Sequence, residues 1–407
     1  MKMKNLDIIQ IINFINFINF KLFVYYKIMY IYVIALILLF ISIFIIIYNL
    51  NVNTKFMCKK SRKLDVGPFI LNTNEKFHVF NPSIIMDNNR ILIVSRLSSI
   101  SKCLPYTNNR YKQDDIIDNS TNIFNKTYKN NSSLLLKWYD DSPSDYTIFN
   151  NYTTDDNNIS TLGLEDPRLF RYKNEIWVYA HYRGVQQNTF IHNPIIFPIN
   201  NPNNIIYLKL DGMSHTEKNW MPFEYNKELY FEYSIHPRII IKCDIDTGLC
   251  TQIYKQIYIN PLNKKIGGGA PPIKIGDIFI GVAHTRENII INDFEQLPVR
   301  KTFFYIFQSK PPFNILGMSS EFDIENNYNN YNNNTNNNNT NNTNNNTNNT
   351  NNNTNNNTNN TNNNIEFASG LIVTDNSVIL SVGVQDCYCI LVEYDIKDVF
   401  NNITLIK

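Results

Sequence analysis

Short apolar runs rich in β-branched and aromatic residues recur along most of the chain, with polar turns between them. Residues 84–86 and 91–96 flank the turn 87–90, which is the pattern of a β-hairpin. No amphipathic helix of any length separates the hairpin units. The pattern returns at residues 169–182, 222–242, 272–284 and 370–383. Five such units predict an all-β fold, a five-bladed β-propeller, with a two-sheet sandwich as the structural alternative.

Two polar stretches interrupt this pattern and are predicted to be insertions. Residues 105–160 are rich in Asn, Asp and Ser, with one short strand candidate at 134–139. Residues 326–364 consist almost entirely of Asn and Thr. A segment with so few apolar side chains cannot bury a core, so we predict a disordered loop there.

The amino-terminal region carries an uninterrupted apolar run at residues 28–48. About 20 such residues span the hydrocarbon core of a bilayer, so the run predicts a transmembrane helix. It lacks the short apolar region and small-residue cleavage site of a signal peptide, which favours an uncleaved anchor. The predicted organisation is a cytosolic tail at 1–27, the anchor, a stem at 49–68 and a propeller domain at 69–407.

The sequence holds conflicting signals for the orientation of this anchor. Lys and Arg are slightly more numerous after the run than before it, which favours a cytosolic body. Cys243 and Cys250 bracket a turn-like hexapeptide, and this spacing favours a hairpin disulfide in an oxidising lumen. Glycosylation sequons begin at Asn119, Asn125, Asn130, Asn131, Asn151, Asn158 and Asn402. We expect a single-pass type II protein of the Golgi or endoplasmic reticulum with a lumenal body.

Composition narrows the classes of partner. A chain of 407 residues with 43% hydrophobic content can bury a large core in one or two domains. The net charge of +2 argues against a dedicated nucleic-acid binder, which would carry a basic stripe. Cys387 and Cys389 have no second pair at zinc-like spacing, and residues 267–269 lack the ending of a P-loop. We therefore expect no nucleic acid, no metal and no cofactor.

Each predicted hairpin follows a short polar motif. In a propeller the same edge of each innermost strand faces the central channel, so five such motifs would meet around one axial pocket. The motifs are Asn81-Pro82-Ser83, Glu165-Asp166-Pro167-Arg168, Lys218-Asn219-Trp220-Met221-Pro222-Phe223, Gly267-Gly268-Gly269-Ala270-Pro271-Pro272 and Phe367-Ala368-Ser369-Gly370.

The second of these motifs carries an acid and a fixed cation. In a regular strand neighbouring side chains point to opposite faces, so Asp166 and Arg168 are expected on one face and Glu165 on the other. Pro167 removes a backbone donor and favours an extended conformation at Asp166. An acid and a cation on one face suit proton transfer beside an anionic group. The alternative is a surface ion pair at a strand entry, which contributes little.

Further motifs follow in a definite order. Lys218 and His236 lie on either side of a hairpin, Gly269-Ala270-Pro271-Pro272-Ile273 precedes Ile280-Gly281-Val282-Ala283-His284, and Ser381-Val382-Gly383-Val384-Gln385-Asp386 ends the series. Together with Glu165–Arg168, these motifs resemble those of glycoside hydrolase family 130, the five-bladed β-mannoside phosphorylases, and of related β-mannosyltransferases. The resemblance runs from about Asn81 to Tyr394. The anchor, the Lys218-Asn219-Trp220 and His236-Pro237-Arg238 sequences, and the cysteines beside Asp386 depart from the bacterial phosphorylases.

The resemblance implies roles for single residues. Asp166 is expected to be the proton-transfer group, and Glu165 is expected to face away and brace the turn. Arg183 is a further candidate cation, and Tyr233 and Phe367 are candidates for stacking on a sugar ring beside Trp220. The expected ligands of a phosphate or diphosphate are Arg96, Arg168, Lys218, His236 and Arg238. The expected sugar-binding residues are Asn81, Trp220 and Asp386.

Three functions are compatible with this reading of the sequence. The first is an inverting glycosyltransferase that transfers β-mannose from a sugar nucleotide to a glycan hydroxyl. The second is a β-mannoside phosphorylase that uses inorganic phosphate and the same residues. The third is a glycan-binding propeller without catalysis, which an unchanged Asp166→Asn variant would indicate.

Overall fold

The computed structural model describes most of the chain after Lys55 and part of a helix before it. The described residues are 21, 25–27, 29–40, 42, 56–64, 69–70, 76–98, 133–149, 159–186, 189–292, 295–324 and 365–406. They fall into two compact units, Met1–Lys55 and Phe56–Lys407. The predicted insertion at 326–364 and the first six sequons lie outside the described residues.

In the first unit, residues 29–40 are helical and their side chains are exposed. The predicted membrane span at 28–48 lies partly outside the described residues. Within the part of the chain that is described, no helix is both long enough and apolar enough to cross a membrane.

The second unit is built from β-strands, so the prediction of an all-β fold is confirmed for it. From the amino terminus to the middle of the chain the strands are β1 (Cys58–Leu64), β2 (Phe69–Ile70), β3 (Lys76–Asp87), β4 (Arg90–Ser98), β5 (Ser133–Tyr139), β6 (Ser142–Phe149), β7 (Ile159–Tyr172), β8 (Glu175–Gln186), β9 (Thr189–Pro198), β10 (Ile206–Tyr207), β11 (Lys209–Leu210) and β12 (Met221–Tyr225). The remaining strands are β13 (Glu228–Ser234), β14 (Arg238–Cys243), β15 (Leu249–Gln256), β16 (Lys265–Ile275), β17 (Ile278–Asn292), β18 (Glu295–Gln308), β19 (Ile315–Ser319), β20 (Glu366–Val373), β21 (Ser377–Val384), β22 (Tyr388–Asp395) and β23 (Ile403–Leu405).

The strands form five antiparallel arrays, each starting at one of the predicted hairpins. The arrays are β3–β6, β7–β10, β12–β15, β16–β19 and β20–β22. A single parallel pairing of Ser133 with Gly163 joins the first two arrays into one sheet. We call β3, β7, β12, β16 and β20 the inner strands. Each inner strand contacts the next, and β20 returns to contact β3, so the inner strands close a ring.

Asn and Lys residues at the hairpin turns adopt the left-handed backbone that two-residue turns require. Asn88 and Asn89 have φ of 48° and 63°, and Lys173 and Asn174 have φ of 49° and 66°. Such turns match the right-handed twist of the strands they connect. These positions confirm the turns predicted after β3 and β7.

Both ends of the second unit are paired within it. Strand β1 pairs antiparallel with β22, so part of the segment predicted as a stem at 49–68 belongs to the fold instead. The prediction missed it because the basic residues of β1 are those expected of a solvated linker. After the short helix Ile396–Asn401, which Asp395 caps by accepting a hydrogen bond from the Lys397 amide, β23 pairs with β19.

Apolar side chains on both faces of the sheets pack against the neighbouring arrays. Between the fourth and fifth arrays, for example, Ile280 and Val282 pack with Val378 and Leu380, all of them fully buried. The predicted disulfide between Cys243 and Cys250 is present and closes the hairpin of β14 and β15. This packing holds the inner strands, and therefore the polar motifs, at fixed positions.

Candidate active site

Four inner strands carry a β-bulge or other register shift at the polar motif, and the shifts in β3 and β7 involve Asn81 and Asp166. The pairing of β3 with β4 shifts between Phe80 and Ser83, and that of β7 with β8 shifts between Glu165 and Arg168. At the two bulges Asn81 and Asp166 have φ of 51° and 50°. The expectation of regular alternation, with an extended Asp166 on the face of Arg168, was therefore wrong, because a bulge re-aims the side chains that follow it.

The two bulges bring Asn81 and Asp166 together. The side-chain amide of Asn81 donates a hydrogen bond of 2.8 Å to Oδ1 of Asp166. Nη1 of Arg96 lies 3.8 Å from the same oxygen, and the Asp166 side chain is 15% exposed. Burial alone would raise the pKa of Asp166, but Arg96 and Lys218 outweigh it and hold this pKa well below its usual range. Asp166 is therefore an ionised, accessible carboxylate.

Glu165 does not face away from the site as expected. Its Oε1 accepts hydrogen bonds from Arg96 at 2.5 Å and Arg183 at 2.6 Å, and its Oε2 lies 3.8 Å from Nζ of Lys218. Burial raises the pKa of Glu165, but Arg96 and Arg183 outweigh this effect and lower it to about 2. Glu165 thus holds three cations beside Asp166. Arg183, the further candidate cation of the sequence analysis, is placed at the site because β8 pairs with β7.

Arg168 is a structural residue in this arrangement. Its guanidinium is fully buried and donates to the Gly269 carbonyl at 2.6 Å, Oδ1 of Asn219 at 2.9 Å and the Asp166 carbonyl at 3.1 Å. These acceptors belong to the second, third and fourth polar motifs. Arg168 therefore ties three arrays together, and the expectation that it binds phosphate is corrected.

The remaining motifs join the same centre. Oγ of Ser369 donates a hydrogen bond of 2.7 Å to the Pro82 carbonyl, and this bond links the fifth motif to the first. A Cβ at Gly268 would clash with the Asn219 carbonyl, and one at Gly383 would clash with Asn81. Glycine is required at both positions because the backbones of neighbouring arrays approach so closely. The structure thus brings all five predicted motifs together.

Lys218 and His236 lie in different surroundings. The Lys218 side chain is 38% exposed, and Glu165 is its ion-pair partner. His236 bonds through Nε2 to the Tyr258 carbonyl at 3.1 Å and lines a cavity of about 500 Å³ that Arg286 also lines. Both side chains remain accessible, so both stay candidates for ligand binding.

Two predicted ligand-binding residues are placed in the core instead. Arg238 is fully buried and forms an ion pair with Glu232. It also donates a hydrogen bond of 3.0 Å to the Phe313 carbonyl. Trp220 is also fully buried, and its ring nitrogen donates a hydrogen bond of 3.1 Å to Oε2 of Glu217. Neither side chain can reach a ligand. Asp386 is half-buried with φ of 50°, in the turn that follows Gly383.

A buried histidine that the sequence analysis did not consider supports the site from behind. Nε2 of His181 bonds to the Tyr179 hydroxyl at 2.9 Å and accepts a bond of 3.3 Å from the Asn219 amide. Burial lowers the pKa of His181 to about 3, so its ring is neutral. Within the described residues, no group of three or more His, Cys, Asp or Glu side chains could hold a metal ion.

Comparisons with known proteins agree with the resemblance read from the motifs. No protein-family model matches the chain. β-Mannosyltransferase 1 of Komagataella phaffii is 31% identical over 81 residues, which are 18% of this chain and 12% of that protein. β-Mannosyltransferase 2 of the same organism is 27% identical over 120 residues, which are 28% and 19% of the two chains. The chain thus matches less than a fifth of the length of either relative.

Among solved structures, the chain is similar to the β-1,2-mannobiose phosphorylase of Listeria innocua in complex with β-1,2-mannobiose. The TM-score is 0.45 at 12% identity, and the alignment covers 86% of this chain and 97% of that chain. The relatives that the chain matches in sequence are named as β-mannosyltransferases, and the match covers a minor part of each.

Proposed function

We propose that this chain is a membrane-anchored, inverting β-mannosyltransferase built on a five-bladed β-propeller. It would transfer mannose from a sugar nucleotide to a hydroxyl of a glycan acceptor. The observation that carries the proposal is the ionised Asp166 carboxylate, held by Asn81 at the convergence of five inner strands and flanked by cations. The matches to β-mannosyltransferases support the choice of sugar.

In this mechanism Asp166 acts as the general base. It accepts the proton of the acceptor hydroxyl while the hydroxyl oxygen forms a bond to C1 of mannose. The bond from C1 to the diphosphate oxygen breaks, and the diphosphate leaves with the electron pair. Lys218, exposed beside Glu165, is placed to stabilise the charge that develops on the leaving group. Attack opposite the leaving group converts an α-linked donor into a β-linked product.

The protonation state of Asp166 favours transfer over phosphorolysis. Phosphorolysis needs a general acid that carries a proton at working pH, whereas a transferase needs a base. Arg96 and Lys218 hold the pKa of Asp166 low, although burial opposes them, so the carboxylate carries no proton that it could donate as an acid. A phosphorylase remains the second candidate, because the same cations could receive inorganic phosphate. A glycan-binding propeller without catalysis is the third.

Disulfides support a lumenal location for the body in this proposal. Cys243 and Cys250 are bonded to each other, and Cys387 also takes part in a disulfide. Disulfides persist in oxidising compartments such as the secretory pathway. Together with the apolar run at 28–48, they favour a type II protein of the endoplasmic reticulum or Golgi.

The test compares the detergent-solubilised full chain with Asp166→Asn and with the matched control Glu175→Gln, an exposed carboxylate on β8. Each protein is incubated with nucleotide-mannose and a mannoside acceptor, or with β-mannobiose and inorganic phosphate. We expect acceptor mannosylation by the full chain and the control, with a loss of about 10²- to 10⁴-fold in Asp166→Asn. Phosphate-dependent release of mannose 1-phosphate without transfer would identify a phosphorylase. Equal activity of folded Asp166→Asn would exclude Asp166 as the base.

A further inference from the structure

Two arginines face each other across neighbouring strands of the fourth array. Arg286 on β17 is the direct partner of Arg300 on β18. Like charges at directly opposed positions destabilise a sheet, so such a pair requires a compensating interaction. Within the described part of the chain neither guanidinium has a carboxylate partner. Nε of Arg286 donates instead to the neutral His284 ring at 3.2 Å.

The pair lies beside the converging motifs. The Arg300 guanidinium is 6.0 Å from the centre of the Phe367 ring, and Arg168 lies 5.2 Å from the same ring. A Cβ at Gly267 would clash with both His284 and Arg286, so this glycine leaves the space that the two side chains occupy. Gly267 opens the fourth polar motif. The two arginines therefore lie next to the centre that contains Asp166, and they add uncompensated positive charge there.

A cavity continues outward from Arg286. Its volume is about 500 Å³, and it is lined by His236, Asn260, Asn263, Lys264, Lys265, Ile266 and Arg286. This volume falls within the range of small-molecule sites. Asn263, Lys265 and Arg286 are exposed and can contact a ligand, whereas Asn260 bonds within its own turn. The lining of the cavity is basic, with two lysines beside Arg286.

We propose that Arg286 and Arg300 bind the diphosphate of a nucleotide-sugar donor, with its nucleoside in the adjoining cavity. The proposal rests on the transferase function given above. Two opposed guanidiniums can hold two linked phosphates with charge-assisted hydrogen bonds, and the bound anion removes their mutual repulsion. Inorganic phosphate would satisfy the charge but leave the cavity empty. The ligand is therefore expected to bind through both of its parts.

Calorimetric titration of the full chain with GDP, UDP and inorganic phosphate tests this site. Arg286→Ala and Arg300→Ala are compared with Lys301→Ala, the exposed neighbour of Arg300 whose side chain points to the opposite face of β18. We expect one nucleoside diphosphate to bind the full chain more tightly than phosphate does. Each arginine variant should weaken this binding about tenfold or more, since hydrogen bonds to charged groups contribute roughly 1.5–3 kcal/mol. Lys301→Ala should bind like the wild type.

Thermal unfolding supplies a second readout that separates binding from folding. Without ligand, Arg300→Ala should unfold at the wild-type temperature or above it, because a like-charge contact is removed. With the nucleoside diphosphate, the stabilisation seen for the wild type should be lost. Unchanged affinity in both arginine variants, or equal affinity of the wild type for phosphate and nucleoside diphosphates, would overturn the assignment while mannosyl transfer continued. A wild type that neither binds nucleotide nor transfers mannose would instead overturn the proposed function.

Discussion

Arg168 and Lys218 were both predicted from the sequence to bind phosphate, but the structure assigns them opposite roles. Arg168 is fully buried and ties three arrays together, whereas Lys218 is 38% exposed beside Glu165. Replacing each by Met removes the charge and keeps a long apolar side chain. We expect Arg168→Met to lose stability and Lys218→Met to lose activity with its stability retained.

The magnitudes follow from the contacts of each side chain. Three hydrogen bonds from a charged donor contribute roughly 1.5–3 kcal/mol each, and the cost of burying the guanidinium offsets part of this sum. Arg168→Met leaves three buried neutral acceptors without a donor, and each unsatisfied group costs roughly 1–3 kcal/mol, so our estimate after that offset is about 3–5 kcal/mol. The Lys218 pair with Glu165 is partly exposed and 3.8 Å long, so its loss should cost about 1 kcal/mol or less.

Urea unfolding followed by tryptophan fluorescence measures both changes. With a slope of about 3 kcal/mol per molar urea, Arg168→Met should lower the midpoint by roughly 1–1.7 M. Lys218→Met should leave the midpoint within about 0.3 M, and mannosyl transfer should fall about tenfold or more. The reasoning is refuted if Arg168→Met keeps the wild-type midpoint while its KM for the donor rises, because Arg168 would then be a ligand residue.

Three further predictions concern pH, the disulfide and a glycine. Burial lowers the pKa of His181 to about 3, so at mildly acidic pH the unfolded chain binds a proton that the folded chain excludes. The free energy of unfolding should therefore be at its full value above pH 6.5 and fall by about 2 kcal/mol by pH 5. An equal urea midpoint at both pH values would argue against a buried neutral ring. Replacing Cys243 and Cys250 by Ser should cost about 2 kcal/mol by the loop-closure argument, and a reductant-insensitive midpoint in the wild type would contradict this. Gly383→Ala should push Asn81 away from Asp166 and lower mannosyl transfer at least tenfold, whereas wild-type kinetics would show that the contact between Asn81 and Asp166 is not needed.

Local sequence patterns predict the hairpins of this fold because turn chemistry and strand periodicity are short-range properties. The Asn88-Asn89 and Lys173-Asn174 turns follow directly from flanking apolar runs and a tolerance for left-handed backbone. The meeting of the five motifs was also predictable, because equivalent positions in repeated units face the same axis. These inferences needed no knowledge of which side chains touch across the fold.

Side-chain roles required information that the linear sequence does not contain. A bulge between Glu165 and Arg168 interrupts the regular alternation of side chains at Asp166. The order of residues does not indicate this bulge, so the prediction missed it. Arg238 looked like a free cation because its partner, Glu232, lies on the adjacent strand in a register that only pairing defines. Isolated polar residues can therefore be located from sequence more reliably than they can be assigned as ligands or structural supports.

The closed ring of inner strands constrains when the protein can become active during its synthesis. Asn81, near the beginning of the fold, contacts Gly383 near its end, and Ser369 bonds to the Pro82 carbonyl 287 residues away. Strand β1 likewise pairs with β22, which is synthesised near the end of the chain. A nascent chain can fold its early hairpins as they emerge, but it cannot assemble the candidate active site until the fifth array has been translated. Truncated products of translation would consequently be inactive, and their unpaired strands would be exposed to the quality-control machinery of the cell.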